Sequence, residues 1–98
     1  MRIIRSIPKG QVLTYGEIAR RAGLVNGART VSRILHSSSR KHRLPWQRVV
    51  NAQGRISLPG KAGKLQKQLL TSEGVKFDRG DKIDLKRYMC PAARDHEE

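Results

Sequence analysis

The sequence predicts one small domain, mainly α-helical with small β hairpins, in a winged helix-turn-helix-like arrangement. Three observations carry the prediction. Two short amphipathic segments flank the break Gly23-Leu24-Val25-Asn26-Gly27, and the second sets basic residues opposite its apolar stripe. Further on, short β-branched runs bracket two turn-forming tetrapeptides. The length, 98 residues, allows a single modest core.

Residues 1–7 read as the end of a short helix with Ile3, Ile4 and Ile7 on one side, stopped by Pro8, and Pro8-Lys9-Gly10 is a turn. Thr14-Tyr15-Gly16-Glu17 has the Thr-x-x-Glu spacing of a capping box, so a helix is expected over residues 15–22. Asn26 would cap a second helix over residues 28–36, with Ala28, Val31, Ile34 and Leu35 inside and Arg29, Arg33 and His36 outside. Ser37-Ser38-Ser39 and the basic run Arg40-Lys41-His42-Arg43 read as a loop leading to Trp46.

Arg48-Val49-Val50 and Arg55-Ile56-Ser57 flank Asn51-Ala52-Gln53-Gly54 as a hairpin, the expected wing. The segment 61–73 predicts a helix with Ala62, Leu65, Leu69 and Leu70 on one face and Lys61, Lys64 and Lys67 off it, ended by Gly74. Val75-Lys76-Phe77 and Lys82-Ile83-Asp84 around Asp78-Arg79-Gly80-Asp81 form a second hairpin, after which residues 85–89 pack back on the core. The domain is expected over residues 1–90, and the polar tail 91–98 is expected to be disordered.

Twenty-one Lys and Arg against eight Asp and Glu give a net charge of +13, which points to a polyanionic partner. The charge is uneven: residues 1–44 hold ten basic residues and one acid, Glu17, so the cationic face belongs mainly to the first half. The single cysteine, Cys90, excludes an internal disulfide and has no metal-ligand spacing with His36, His42 or His96, so no metal or cofactor is expected. No apolar run reaches the ~20 residues of a membrane span, and a cytoplasmic location is the expectation.

The stretch Leu44-Pro45-Trp46-Gln47-Arg48-Val49-Val50 contains the one tryptophan. Pro45 fixes its own φ and biases Leu44 towards extended geometry, so the indole is held at a defined place. Two roles fit it: a core residue, as most tryptophans are, or an aromatic face for a nucleobase within a cationic, hydrogen-bonding surface.

This stretch resembles the Pro-Cys-His-Arg-Val motif of the O6-alkylguanine-DNA alkyltransferases, whose cysteine accepts an alkyl group from damaged guanine, with Trp46 at the cysteine position and Gln47 at the histidine. It is most similar to the alkyltransferase-like proteins, relatives that carry Trp there and bind alkylated DNA without repairing it. The similarity runs from about Ile7 to Leu85, through Ile7-Pro8-Lys9-Gly10, Thr14-Tyr15-Gly16, Ala28-Arg29-Thr30-Val31, Pro45-Trp46-Gln47-Arg48-Val49 and Ser72-Glu73-Gly74-Val75, in family order. It implies a winged-helix-like DNA-binding domain whose second helix enters the minor groove and which rotates a damaged nucleotide into a pocket.

By this resemblance Arg29 fills the stack where the flipped base was, Tyr15 presses on the neighbouring phosphate, and Trp46, Gln47, Arg48 and Val49 line the lesion pocket. Arg33 shares the outer face of the second helix with Arg29. Arg48 holds the loop that Pro45 shapes, and Glu73 matches the glutamate that orients the family's histidine; with Gln47 in that place, Glu73 is left a structural hydrogen-bonding residue. Without the resemblance, Arg29 reads as a simple phosphate contact, Tyr15 equally as a core residue, and Arg48 first as a surface arginine. Two departures stand out: Ser38 replaces the asparagine that links second helix and loop, and Pro59 stands where a Tyr or Arg usually touches the flipped base, leaving Arg55 as a substitute lid.

The implied function is that of a non-enzymatic, monomeric sensor that binds double-stranded DNA containing O6-alkylguanine by nucleotide flipping and hands the lesion to nucleotide excision repair proteins. The alternative is a sequence-specific helix-turn-helix regulator in which Arg29 and Arg33 read base edges and Trp46 is core. Transfer to Cys90 ranks third, because that thiol lacks the Cys-His neighbourhood that lowers a thiol pKa.

Overall fold

Two clusters of apolar side chains share a short parallel ribbon, and the helices are arranged around that partition. The computed structural model describes residues 2–24, 27–42 and 44–90, without the side chains of 2, 28 and 37–42. The expected cap at Asn26, the inner placement of Ala28, the side chain of Ser38 and the tail 91–98 lie outside what is described. In chain order come α1 (Arg2–Arg5), β1 (Leu13–Thr14), α2 (Tyr15–Ala22), α3 (Gly27–His42), a 3-10 turn (Trp46–Arg48), β2 (Val49–Val50), α4 (Gly60–Ser72) and α5 (Leu85–Tyr88).

β1 and β2 pair in parallel, Leu13 opposite Val49 and Thr14 opposite Val50. Successive strand residues point to opposite faces. Leu13 and Val49 therefore enter one cluster with Ile4, Ile7, Ile18, Val31, Leu35 and Leu44, while Val12 and Val50 enter the other with Leu70, Val75, Ile83 and Tyr88. A ribbon buried on both faces suits parallel pairing and β-branched residues.

α2 has the bounds its sequence predicts. The Thr14 hydroxyl oxygen accepts the Glu17 N–H at 3.1 Å, capping the helix, and Gly23 ends it in the left-handed region with φ of 70°. The Glu17 carboxylate accepts hydrogen bonds from Arg20 and Arg21. Val31 and Leu35 of α3 are buried against α2, and Arg29, Arg33 and His36 are exposed.

Three expectations are corrected. α3 continues through Ser37-Ser38-Ser39 to His42 instead of stopping at His36. Serine costs only a few tenths of a kcal/mol in a helix, and the Arg40-Lys41-His42 end is favoured by the helix dipole.

The 49–57 hairpin is the second. Val49–Val50 pairs with β1, while Arg55 bridges antiparallel to Lys82, so the turn joins two different partners. That turn is closed by Asn51, whose Oδ1 accepts the N–H groups of Gln53 at 3.0 Å and Arg55 at 2.9 Å. At Gly54, φ is 80° and a Cβ would lie 2.5 Å from the Ile83 carbonyl oxygen, so only glycine lets the turn and the 75–84 hairpin meet.

The third concerns α4, whose inward face is Gly63, Gln66 and Leu70, continued by the C-capping Glu73, with Leu69 half-buried beside it; Ala62 and Leu65, expected inside, are exposed. The reason lies in the site.

Candidate nucleic-acid interface

Pro45 has φ −75° and ψ 66°, and the Trp46 N–H donates to the Leu44 carbonyl at 2.7 Å. This is an inverse γ-turn, for which proline is already preset. The Arg48 N–H then donates to the Pro45 carbonyl at 3.0 Å, and the 3-10 turn leads into β2. Leu44 and Val49 anchor both ends of the loop in the first core cluster. Trp46 is half-buried: one side packs on that cluster, as the core role read from the sequence requires, while the residue remains partly open to solvent.

Beneath the loop, Arg48 Nε donates to Glu73 Oε1 at 3.0 Å and its Nη2 to Oε2 at 2.9 Å, while its Nη1 donates to the Ile7 carbonyl at 2.8 Å. The Gln47 amide donates to Glu73 Oε2 at 2.8 Å, and the Gly10 N–H is a further donor to this carboxylate. Burial pushes the Glu73 carboxyl up, but the hydrogen bonds from Arg48 and Gln47, the Arg48 charge and the Gly10 N–H outweigh it and hold the group below the usual carboxylate range. Glu73 is therefore an anionic hub tying the N-terminal turn, the Trp46 loop and the end of α4 together.

Gln66 is the residue that sequence reasoning missed. It is 1% exposed, and its amide nitrogen donates to the carbonyls of Gln47 at 3.1 Å and Val49 at 2.9 Å. A polar side chain inside the helix satisfies backbone that the irregular loop would otherwise leave unpaired. Its Oε1 is buried with no hydrogen-bond partner among the described residues. The apolar periodicity of Leu65 and Leu69 hid it; a face defined by Gly63, Gln66, Leu70 and Glu73 has helical spacing, but hydrophobicity cannot select it.

The other site residues divide by position. Tyr15 opens α2, packs on the first cluster and brings its hydroxyl to 3.3 Å from Ser57 Oγ, joining the helix start to the segment after the Asn51 turn. Arg29 and Arg33 stand one turn apart on the exposed face of α3. Val49 has 1% exposure and faces the first cluster, so it supports the loop from behind. Pro59 precedes α4 as its cap, and Arg55 is exposed beyond the Asn51 turn. Among the described residues no group of three His, Cys, Asp or Glu could hold a metal, and no helix is long and apolar enough to cross a membrane.

Residues 1–75 match the family model described as 6-O-methylguanine DNA methyltransferase, DNA binding domain. The chain is 46% identical over 86 residues to the DNA base-flipping protein of Vibrio parahaemolyticus, covering 88% of this chain and 86% of that protein. It is 39% identical over 89 residues to Alkyltransferase-like protein 1 of Schizosaccharomyces pombe, covering 85% and 82%. In three dimensions it is similar to the crystal structure of S. pombe Atl1 in complex with damaged DNA containing O6-carboxymethylguanine, with a TM-score of 0.80, 34% identity and coverage of 93% and 90%.

Proposed function

This chain belongs to the family defined by the DNA-binding domain of 6-O-methylguanine DNA methyltransferase, and from that premise we propose that it is a non-enzymatic sensor of O6-alkylguanine in duplex DNA. The observation that carries the reading is the state of the Pro45-Trp46-Gln47-Arg48-Val49 loop. The loop is braced by Glu73 and Gln66, and by the resemblance its indole takes the position of the family's acceptor cysteine. Alkyl transfer needs a thiolate to attack the alkyl carbon and expel the guanine oxygen. Trp46 offers an apolar face and no such nucleophile.

The proposed sequence of events follows from charge and shape. The basic face of α3 draws in the duplex, and the Tyr15 hydroxyl exchanges Ser57 for a backbone phosphate. Arg29 enters the stack as the alkylated nucleotide rotates out, offsetting an extrusion cost of a few kcal/mol. Trp46 then packs on the alkyl group. One methyl group contributes only about 1–3 kcal/mol, so the preference over unmodified guanine is modest for methyl and grows with the size of the alkyl group.

A sensor that removes nothing requires a downstream enzyme, and nucleotide excision repair is the proposed recipient of the monomeric protein–lesion complex. Intact mass spectrometry after incubation with an O6-methylguanine duplex tests the first part: no mass gain is expected, and a stoichiometric methyl adduct would overturn it. A reconstituted excision assay tests the second: incision at the lesion should rise when the protein is added, and unchanged incision would refute the handover.

A further inference from the structure

We infer that the cleft between the Asn51–Arg55 turn, the Lys76-Phe77 segment and α5 is a second contact for the phosphate backbone of the same duplex, outside the flipped nucleotide. This inference rests on duplex DNA being the ligand. The cleft is an open groove of about 920 Å³ lined by Lys76, Lys82, Lys86 and Arg87, with Gln53 also in its lining. Trp46 is not among its walls, so it is distinct from the loop described above.

Two features make it an anion site. All four cations are exposed, and among the described residues no carboxylate lies within ion-pair distance of the three lysines. The two acids at the cleft are committed to backbone: Asp78 Oδ1 accepts the N–H groups of Gly80 at 2.8 Å and Lys82 at 3.0 Å, and Asp84 Oδ1 accepts the Lys86 N–H at 3.1 Å. Both carboxylates keep their charge while shaping turn and cap, and four cations against these two acids leave the cleft net positive, with its ammonium groups facing solvent.

Position favours DNA over an acidic protein. Gln53 is four residues from Ser57, a reach of at most about 14 Å, and Ser57 Oγ lies 3.3 Å from the Tyr15 hydroxyl. A duplex advances about 3.4 Å per base pair, so, with the Ser57 side chain and the gap to Tyr15 added, Gln53 stands within about 20 Å, roughly six base pairs, of the nucleotide beside Tyr15. Exposed Arg55, whose backbone pairs with Lys82, fills the interval with another cation.

The test is the salt dependence of binding to a duplex of about 20 base pairs for the wild type, the K76Q/K82Q/K86Q variant and the charge-retaining K76R/K82R/K86R variant, each checked for fold by circular dichroism. Neutralising one lysine that pairs with a phosphate lowers the slope of log affinity against log salt by about 0.9. With two or three lysines engaged, wild-type affinity should fall roughly 10- to 40-fold more than that of the Gln variant between 50 and 200 mM salt. The Arg variant should follow the wild type, and the effect should be equal on lesion-bearing and undamaged duplexes. A Gln variant with the wild-type slope overturns the inference and leaves the sensor reading intact; if a polyglutamate peptide then binds the wild type but not that variant, the cleft belongs to an acidic protein. A wild-type chain that binds no duplex overturns both.

Discussion

Arg48 and Glu73, 25 residues apart in sequence, meet through two parallel hydrogen bonds of 3.0 and 2.9 Å with side chains only 17% and 8% exposed. Paired guanidinium and carboxylate planes make this a geometrically specific contact. Because Arg48 also holds the Ile7 carbonyl and Glu73 also holds Gln47, the pair sets the height of the Trp46 loop above the core.

Removing one member leaves the other charged, largely buried and without its ion-pair partner. Glu73→Gln and Arg48→Met should each lower stability by about 2–4 kcal/mol. The double variant should be less destabilised than the sum of the two. Urea denaturation of the four proteins reads the coupling; strict additivity would show that the pair acts as two independent surface groups.

Acid lability follows from the same carboxylate. Glu73 is held below the usual range, and Glu17 is lowered to about 2, chiefly by the hydrogen bond from Arg20 against the opposing effect of burial. Both pKa values are depressed by folding, so the unfolded chain binds more protons at intermediate acidity. The stabilisation is present above about pH 4.5 and is lost as pH falls through the folded values, towards about 2 for Glu17. Denaturation series from pH 6 to pH 2 should show that loss, and Glu73→Gln should shrink it. A variant with the wild-type pH profile would remove Glu73 from the explanation.

Gln66→Leu replaces the amide with a branched apolar side chain of somewhat larger volume and removes both hydrogen bonds to the loop. The carbonyls of Gln47 and Val49 are then left without this donor, and the change also deletes the unpartnered Oε1. A net loss of about 1–2 kcal/mol is expected, together with an altered Trp46 emission spectrum in the free protein. An unaltered spectrum would show that the loop stands without this brace.

Gly63→Ala tests the packing of α4. In a solvated helix this change stabilises by about 1 kcal/mol. Here the new Cβ would lie 2.2 Å from the Leu58 carbonyl oxygen, which forces the 58–59 segment away. The clash outweighs the propensity, so the midpoint of thermal unfolding should fall. A rise would mean that the 58–59 segment yields freely.

Legibility in the sequence tracks how local each determinant is. α2 could be bounded because Thr14, Glu17 and Gly23 mark its ends chemically. The aimed tryptophan was visible because Pro45 dictates its own backbone. The far end of α3 was hidden because serine preference is weak against continuing helix. The partner of Val49–Val50 was hidden because a two-residue strand has no register of its own; Leu13–Thr14, far upstream, decides it. The resemblance supplied Arg48 and Glu73 separately as site residues, but their contact emerges only from the fold. Gln66 was concealed by the rule that buried faces are apolar.

The central claim is that Trp46 faces the alkyl group of a flipped guanine. Its most direct test titrates the protein with two duplexes that differ in a single O6-methylguanine, at one ionic strength, while following the fluorescence of this one tryptophan. Tighter binding of the lesion duplex, with quenching that the undamaged duplex does not produce, is the predicted result. Equal affinity for both duplexes with unchanged emission would contradict it.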